Sequence, residues 1–188
     1  MLSFFVNLLL KLRPNKMKKN IVLLFLFFLT SQIYAQKVNW ISFEKAAELT
    51  KESPRPMLID IYTDWCGYCK KMDRTTYKDA TITSYINEHF YAVKLDGEQK
   101  EDLVYNDYTF KFKPSGRNGY HEFAASLLNG KLSYPTTVFM DEELGLLDRV
   151  PGYLTPEIME QVITYFASKK YKTATWQEHV KSFKSNLK

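Results

Sequence analysis

The sequence predicts an α/β sandwich, one mixed sheet covered by helices. Three observations carry that prediction. Candidate elements beyond the N-terminal segment run in the order strand, helix, strand, helix, β-hairpin, helix. The strand runs are short and apolar, as buried central strands are, while the helical runs repeat their apolar residues every three to four positions. Residues 36–188 also make a single-domain length. Composition fits, with 45% hydrophobic and 25% charged residues. The 15% of aromatic residues argues against disorder, and 7 Gly with 7 Pro excludes collagen-like or linker-dominated sequence. Two cysteines are too few for a disulfide scaffold or a four-cysteine zinc site.

Residues 1–35 are set aside for a reason. Lys18 and Lys19 precede an unbroken apolar run from Ile21 to Leu29, and Ala35 offers a small residue for cleavage. This three-part layout predicts a secretory signal peptide cleaved after Ala35. The run falls short of the roughly 20 apolar residues that span a bilayer. Asn7, Lys11, Arg13 and Pro14 interrupt residues 1–16, which read as an upstream extension with Met17 as the true start or, alternatively, as part of one unusually long signal, with the export reading the same either way. No cysteine follows the cleavage point, so a lipidated cysteine anchor is not available. A periplasmic or otherwise exported protein is expected. The net charge of +5 belongs to this segment, because Lys11, Arg13, Lys16, Lys18 and Lys19 have no acidic counterpart there. The mature chain is neutral, so no nucleic-acid partner is expected.

Along the mature chain, Ser42 can cap a helix whose Phe43, Ala46, Ala47 and Thr50 share a face. Pro54 and Pro56 end it, and Met57–Tyr62 suits a central buried strand. Trp65–Met72 follows, then a helical pattern through Ile82, Tyr85, Ile86 and His89, then a strand over Phe90–Leu95. Residues 96–118 are polar and irregular, and Gly119–Asn129 reads as a helix closed by Gly130. Pro135 precedes the strand Thr136–Met140, which turns at Asp141–Gly145 and pairs back through Leu146–Val150. Thr155 caps and Pro156 opens a helix carrying Ile158, Val162, Tyr165 and Phe166. A last amphipathic segment puts Trp176, His179, Val180, Phe183 and Leu187 on one face.

Cys66 and Cys69 stand one helical turn apart between a strand and a helix. At a helix start the first cysteine lies in the field of unpaired backbone N–H groups, which favours the thiolate. Lys70 and Lys71 add positive charge, and Gly67 gives the turn freedom. A redox pair, a structural disulfide and half of a zinc site all fit the bare spacing. Zinc would need further ligands, and His89, His121 and His179 are not in the H-x₃₋₅-H spacing. Asp60, inside an apolar strand, is costly unless it has a partner or a task.

Asp60, then Asp64-Trp65-Cys66-Gly67-Tyr68-Cys69-Lys70-Lys71-Met72, then Val93–Asp96, Tyr134-Pro135-Thr136 and Gly152 together resemble the thioredoxin superfamily. The pattern is similar, more narrowly, to exported bacterial thioredoxin-like proteins sharing D-W-C-x-x-C-K-K-M. The resemblance covers about residues 38–168. It implies a thioredoxin-like fold with an insertion between Asp96 and Gly130, before the cis-proline strand, and an extra C-terminal helix over 170–188. It further implies Cys66 as nucleophile, Cys69 as resolving cysteine and Pro135 as a cis-proline facing the pair. Asp60 matches the family's buried carboxylate; burial should raise its pKa so that it can take the Cys69 proton, with Lys94 as partner. A solvated strand-end lysine is the other reading of Lys94. Trp65 and Tyr134 would flank a substrate groove at Pro135, or serve as ordinary core aromatics.

Two departures stand out. Gly67-Tyr68 replaces the common Gly-Pro between the cysteines, so a thioredoxin potential cannot be borrowed. The stretch Tyr105–Tyr120 interleaves Lys111, Lys113 and Arg117 with aromatics, and in an exported protein it reads as a solvated hairpin or partner-contact loop. The function expected is thiol–disulfide exchange on protein cysteines in the cell envelope, in the reducing direction and fed by a membrane electron donor, with no cofactor beyond the two thiols. The alternatives are a non-catalytic binding or chaperone module and copper delivery through the thiol pair.

Overall fold

The computed structural model describes residues 37–116 and 118–187. The expected signal segment and Arg117 lie outside them.

Five strands form the main sheet: β1 (Trp40–Ile41), β2 (Met57–Tyr62), β3 (Tyr91–Asp96), β8 (Thr136–Met140) and β9 (Leu146–Pro151), in the order β1-β3-β2-β8-β9. β1, β3 and β2 run parallel, whereas β8 and β9 are antiparallel to their neighbours. This is the thioredoxin-like fold, a mixed sheet with helices on both faces. Six α-helices are present among the described residues: α1 (Phe43–Glu52), α2 (Gly67–Arg74), α3 (Ala80–His89), α4 (Glu122–Leu127), α5 (Pro156–Ala167) and α6 (Trp176–Ser182).

Strand parity divides the core into two layers. Met57, Ile59 and Ile61 of β2 face α1 and α4, packing with Phe43, Ala46, Phe123 and Leu127. Leu58 faces the other way, toward Met72 of α2, Ile82 and Ile86 of α3 and Met159, Ile163 and Phe166 of α5. Side chains alternate faces along a strand, so Asp60 shares the face of Leu58. The helices start where their caps dictate. Ser42 Oγ accepts from Lys45 N at 3.2 Å, Asp79 Oδ1 accepts from Thr81 N and Ile82 N, and Thr155 caps α5 ahead of Pro156.

Several expectations need correction. The two-residue β1 precedes α1 and was not anticipated. α2 and α3 are separate, because α2 stops at Thr75 and a 3₁₀ turn over Thr76–Lys78 leads to the Asp79 cap. Residues 96–121 are more ordered than an irregular stretch: β4 (Leu103–Tyr105) pairs with β5 (Tyr108–Phe110), and β6 (Phe112–Lys113) with β7 (Tyr120–His121). The helix expected over Gly119–Asn129 therefore spans only Glu122–Leu127, since Tyr120 and His121 are held in β7 and His121 Nδ1 accepts the Phe123 N–H. α6 ends at Ser182, with Val180 exposed, so its apolar stripe is shorter than the pattern suggested. Beyond α6, buried Glu160 accepts from Ser185 Oγ at 2.6 Å and Asn186 N at 2.7 Å, fixing the chain end to α5.

Candidate active site

β2 runs out at Tyr62, and Cys66 becomes the cap of α2. Its N–H donates to Thr63 O at 3.1 Å, and its Sγ accepts from Cys69 N at 3.1 Å. The two cysteines are joined in a disulfide, with their Cα atoms 5.3 Å apart. Both are buried. The helix start supplies the partial positive charge that stabilises a thiolate at Cys66 once the bond is opened. A disulfide consumes both thiols, and among the described residues no cluster of His, Cys, Asp and Glu is arranged to hold a metal.

Large aromatic side chains surround the pair. Trp65 and Tyr68 are 60% and 64% exposed, which for residues of this size marks a contact surface rather than core. Trp65 Nε1 donates to Glu98 Oε1 at 2.9 Å, and its ring meets Tyr134 edge-on with centroids 6.0 Å apart. That contact brings the Ser133–Pro135 turn beside the cysteines. The Tyr134–Pro135 peptide is cis, and Pro135 O accepts from Gly152 N at 2.8 Å. Tyr134 leans over Gly97, where an added Cβ would lie 2.5 Å from the phenol oxygen. Burial first, then the charges of Glu98 and Asp96, push the Tyr134 phenol up to about 12. On the other side Tyr68 faces Tyr153, whose ring carries the Lys71 ammonium at 4.5 Å.

A charged cluster links β2 and β3 to α2, the helix that carries Cys69. Asp60 is 1% exposed, and its Oδ2 accepts from Lys94 Nζ at 2.6 Å. The same ammonium donates to Asp73 Oδ1 at 2.5 Å, and Asp73 reaches solvent. Three rings, those of Trp40, Tyr62 and Tyr77, surround Lys94 Nζ at 5.0–5.2 Å. Lys94 is thus a paired, largely enclosed cation and not a solvated strand end. Burial raises the Asp60 pKa, and attraction from Lys94 offsets that only in part. Burial disfavours the charged form of Lys94 as well, but its two carboxylates outweigh this and raise its pKa.

The seven expected site residues therefore fall into two groups: the buried Cys66, Cys69 and Pro135 with exposed Trp65 and half-buried Tyr134, and the Asp60–Lys94 pair. Asp73, Tyr77, Tyr153 and Glu98 were missed. Asp73 had a signal, because it stands four residues after Cys69 and so on the same face of α2.

A family model of the thioredoxin-like domain matches residues 43–167. Over 61 residues the chain is 28% identical to the thiol:disulfide interchange protein DsbD of Pectobacterium atrosepticum, covering 31% of this chain and 11% of that protein. Over 72 residues it is 29% identical to the disulfide bond reductase DsbH of Chlamydia pneumoniae, covering 38% of this chain and 43% of that one. Both alignments span less than half of the relative. The fold is shared with a thioredoxin from Thermus thermophilus, at a TM-score of 0.53 and 14% identity over 72% of this chain and 90% of that one. It is likewise shared with a disulphide-isomerase candidate from Bacteroides thetaiotaomicron, at 0.51 and 22% identity over 72% and 97%.

Proposed function

The chain belongs to the thioredoxin-like domain family, and from that premise we propose that it is a thiol–disulfide oxidoreductase working on protein cysteines in the cell envelope, as a reductase. The observation that carries this is the Cys66–Cys69 disulfide at the start of α2, flanked by exposed aromatics, with the same helix tied through Asp73 and Lys94 to a buried carboxylate. The reductase direction is supported by the D-W-C pattern and by partial similarity to a protein described as a disulfide bond reductase. The envelope location is supported by the signal-like segment before Gln36.

In the reducing direction the Cys66 thiolate attacks one sulfur of a substrate disulfide. A bond forms between Cys66 and that sulfur, the substrate S–S bond breaks, and the second substrate sulfur leaves as a thiolate. Cys69 then gives its proton to Asp60 and attacks Cys66 Sγ. The Cys66–Cys69 bond forms, the mixed disulfide breaks, and two electrons have passed from the pair to the substrate. A membrane electron donor restores the dithiol. Trp65, Tyr134 and Pro135 border the surface on which an extended substrate segment would lie.

Trapping tests this directly. Cys69→Ala should accumulate mixed disulfides at Cys66 with envelope proteins, while the wild-type protein reduces insulin disulfides and Cys66→Ser does not. If nothing is trapped and Cys66→Ser keeps its full biological effect, a non-catalytic binding module replaces the enzyme reading.

A further inference from the structure

Asp60 Oδ1, Tyr77 OH and Thr137 Oγ1 are buried and lack a hydrogen-bond partner among the described residues. Such atoms are costly, and three of them in one neighbourhood call for a joint explanation.

Sheet register shows why they meet. Lys94 of β3, Asp60 of β2 and Thr137 of β8 are successive partners across three strands. They form a polar row on the face that otherwise carries Ala92, Leu58 and Phe139. Tyr77, from the 3₁₀ turn after α2, packs on the same face. Its ring stands edge-on to Trp40 at 4.8 Å and lies 5.2 Å from Lys94 Nζ. Its hydroxyl neighbours both Asp60 and Thr137 without closing a bond to either.

The two oxygens of Asp60 are not equivalent. Oδ2 already accepts from the Lys94 ammonium, which is a donor only. A proton arriving on Asp60 therefore settles on Oδ1. That oxygen must accept hydrogen bonds when the carboxylate is ionised and donate one when it is protonated. A hydroxyl can serve both states by rotation; an ammonium or an amide N–H cannot.

We propose that Tyr77 is a positioning residue for the Asp60 base, its hydroxyl attending Oδ1 together with that of Thr137. The hydroxyls donate to the ionised carboxylate and accept from the carboxyl formed when Cys69 loses its proton. This inference rests on the reading above in which Asp60 takes that proton. The bond changes are those of the resolving step: the proton moves from Cys69 to Asp60 Oδ1, the Cys66–Cys69 bond forms, and the substrate sulfur leaves. The charged and titratable groups facing Asp60 are Lys94 from β3, Asp73 from α2 and Tyr77 itself. Burial, then the nearby Asp60 charge, keeps the Tyr77 phenol protonated throughout the working range.

The experiment is the pH dependence of the resolving step. A preformed mixed disulfide between Cys66 and a peptide thiol is followed as Cys69 releases the peptide, in wild type, Tyr77→Phe, Thr137→Val and Asp60→Asn. Tyr77→Phe keeps the ring beside Lys94 and removes only the hydroxyl. Loss of a donor to the carboxylate should move the inflection about one pH unit upward, and Thr137→Val should move it the same way. A merely structural role would lower the unfolding midpoint and leave the inflection where it is. Asp60→Asn should abolish the inflection. If it does so while the profiles of Tyr77→Phe and Thr137→Val superimpose on wild type, this inference is overturned and the base assignment stands. An inflection that survives Asp60→Asn overturns both. Should Tyr77→Phe fail to fold, Thr137→Val decides: a shifted profile supports the inference and an unshifted one overturns it.

Discussion

Replacing Asp60 by Asn should stabilise the oxidised protein, increasingly so as pH rises. The carboxylate is 1% exposed and holds one hydrogen bond, from Lys94 to Oδ2 at 2.6 Å. Removing an ionised carboxylate from water costs several kcal/mol even after the surroundings relax, and the pair with Lys94 returns part of that. Burial is the larger effect, so the folded pKa lies above the usual range. The unfolded value is about 3.9. A carboxyl raised in this way leaves the wild-type protein at full stability below the unfolded pKa. That stability is lost as pH rises through the folded pKa, because the native state then has to give up a proton it prefers to keep. Asn stays neutral at every pH and nearly preserves the shape. Lys94 is not orphaned by the change, since Asp73 still accepts from it at 2.5 Å. The expected gain is about 1–3 kcal/mol at pH 8, shrinking toward zero or a small loss near pH 4. Urea unfolding of both oxidised proteins across that range reads it, with equal m-values as the check that only stability has changed. A difference that stays flat between pH 4 and 8, or an Asn variant less stable at pH 8, would refute the reasoning. Lys94 would then compensate the buried charge in full.

Gly97→Ala should slow insulin reduction and cost about 1–3 kcal/mol in urea unfolding, because the new methyl group would lie 2.5–2.7 Å from three atoms of the Tyr134 phenol and force that ring away from Trp65. An unchanged KM with an unchanged unfolding midpoint would show that Tyr134 has room to shift. Asp79→Ala removes the acceptor for the Thr81 and Ile82 N–H groups at the head of α3 and should cost about 1 kcal/mol. It should leave insulin reduction untouched, since α3 carries none of the site residues.

Much of the scaffold is local in origin and could therefore be read residue by residue. Ser42 and Thr155 announce their helices by hydrogen-bonding chemistry that operates within three residues. The apolar run Met57–Tyr62, preceded by prolines, suits a central strand, and Pro135 with the β-branched residues after it suits the opening of another. The cysteine spacing and Asp60 were legible for the same reason: each is anomalous where it stands. The hairpins of residues 103–121 were not, because each strand is two or three residues long and is held by pairing rather than by a pattern.

The charged cluster lies at the other extreme. Tyr77 points inward only because α2 breaks at Thr75 and the 3₁₀ turn redirects the chain, and no helical period carried on from Cys69 anticipates that. Thr137 is an unremarkable strand residue until β8 is placed antiparallel to β2 in the register that sets it opposite Asp60. Parity within each strand can be read one strand at a time; a row across three strands needs their order and their offsets. A slip of one residue between β2 and β3 would turn Lys94 and Ala92 together to the opposite face and set Val93 or Leu95 beside Asp60, and a slip between β2 and β8 would do the same with Thr137 and Phe139, setting Val138 or Thr136 there. The cost of that orphaned carboxylate is itself a force that selects the register, so the group assigned to proton transfer also helps align the sheet that buries it.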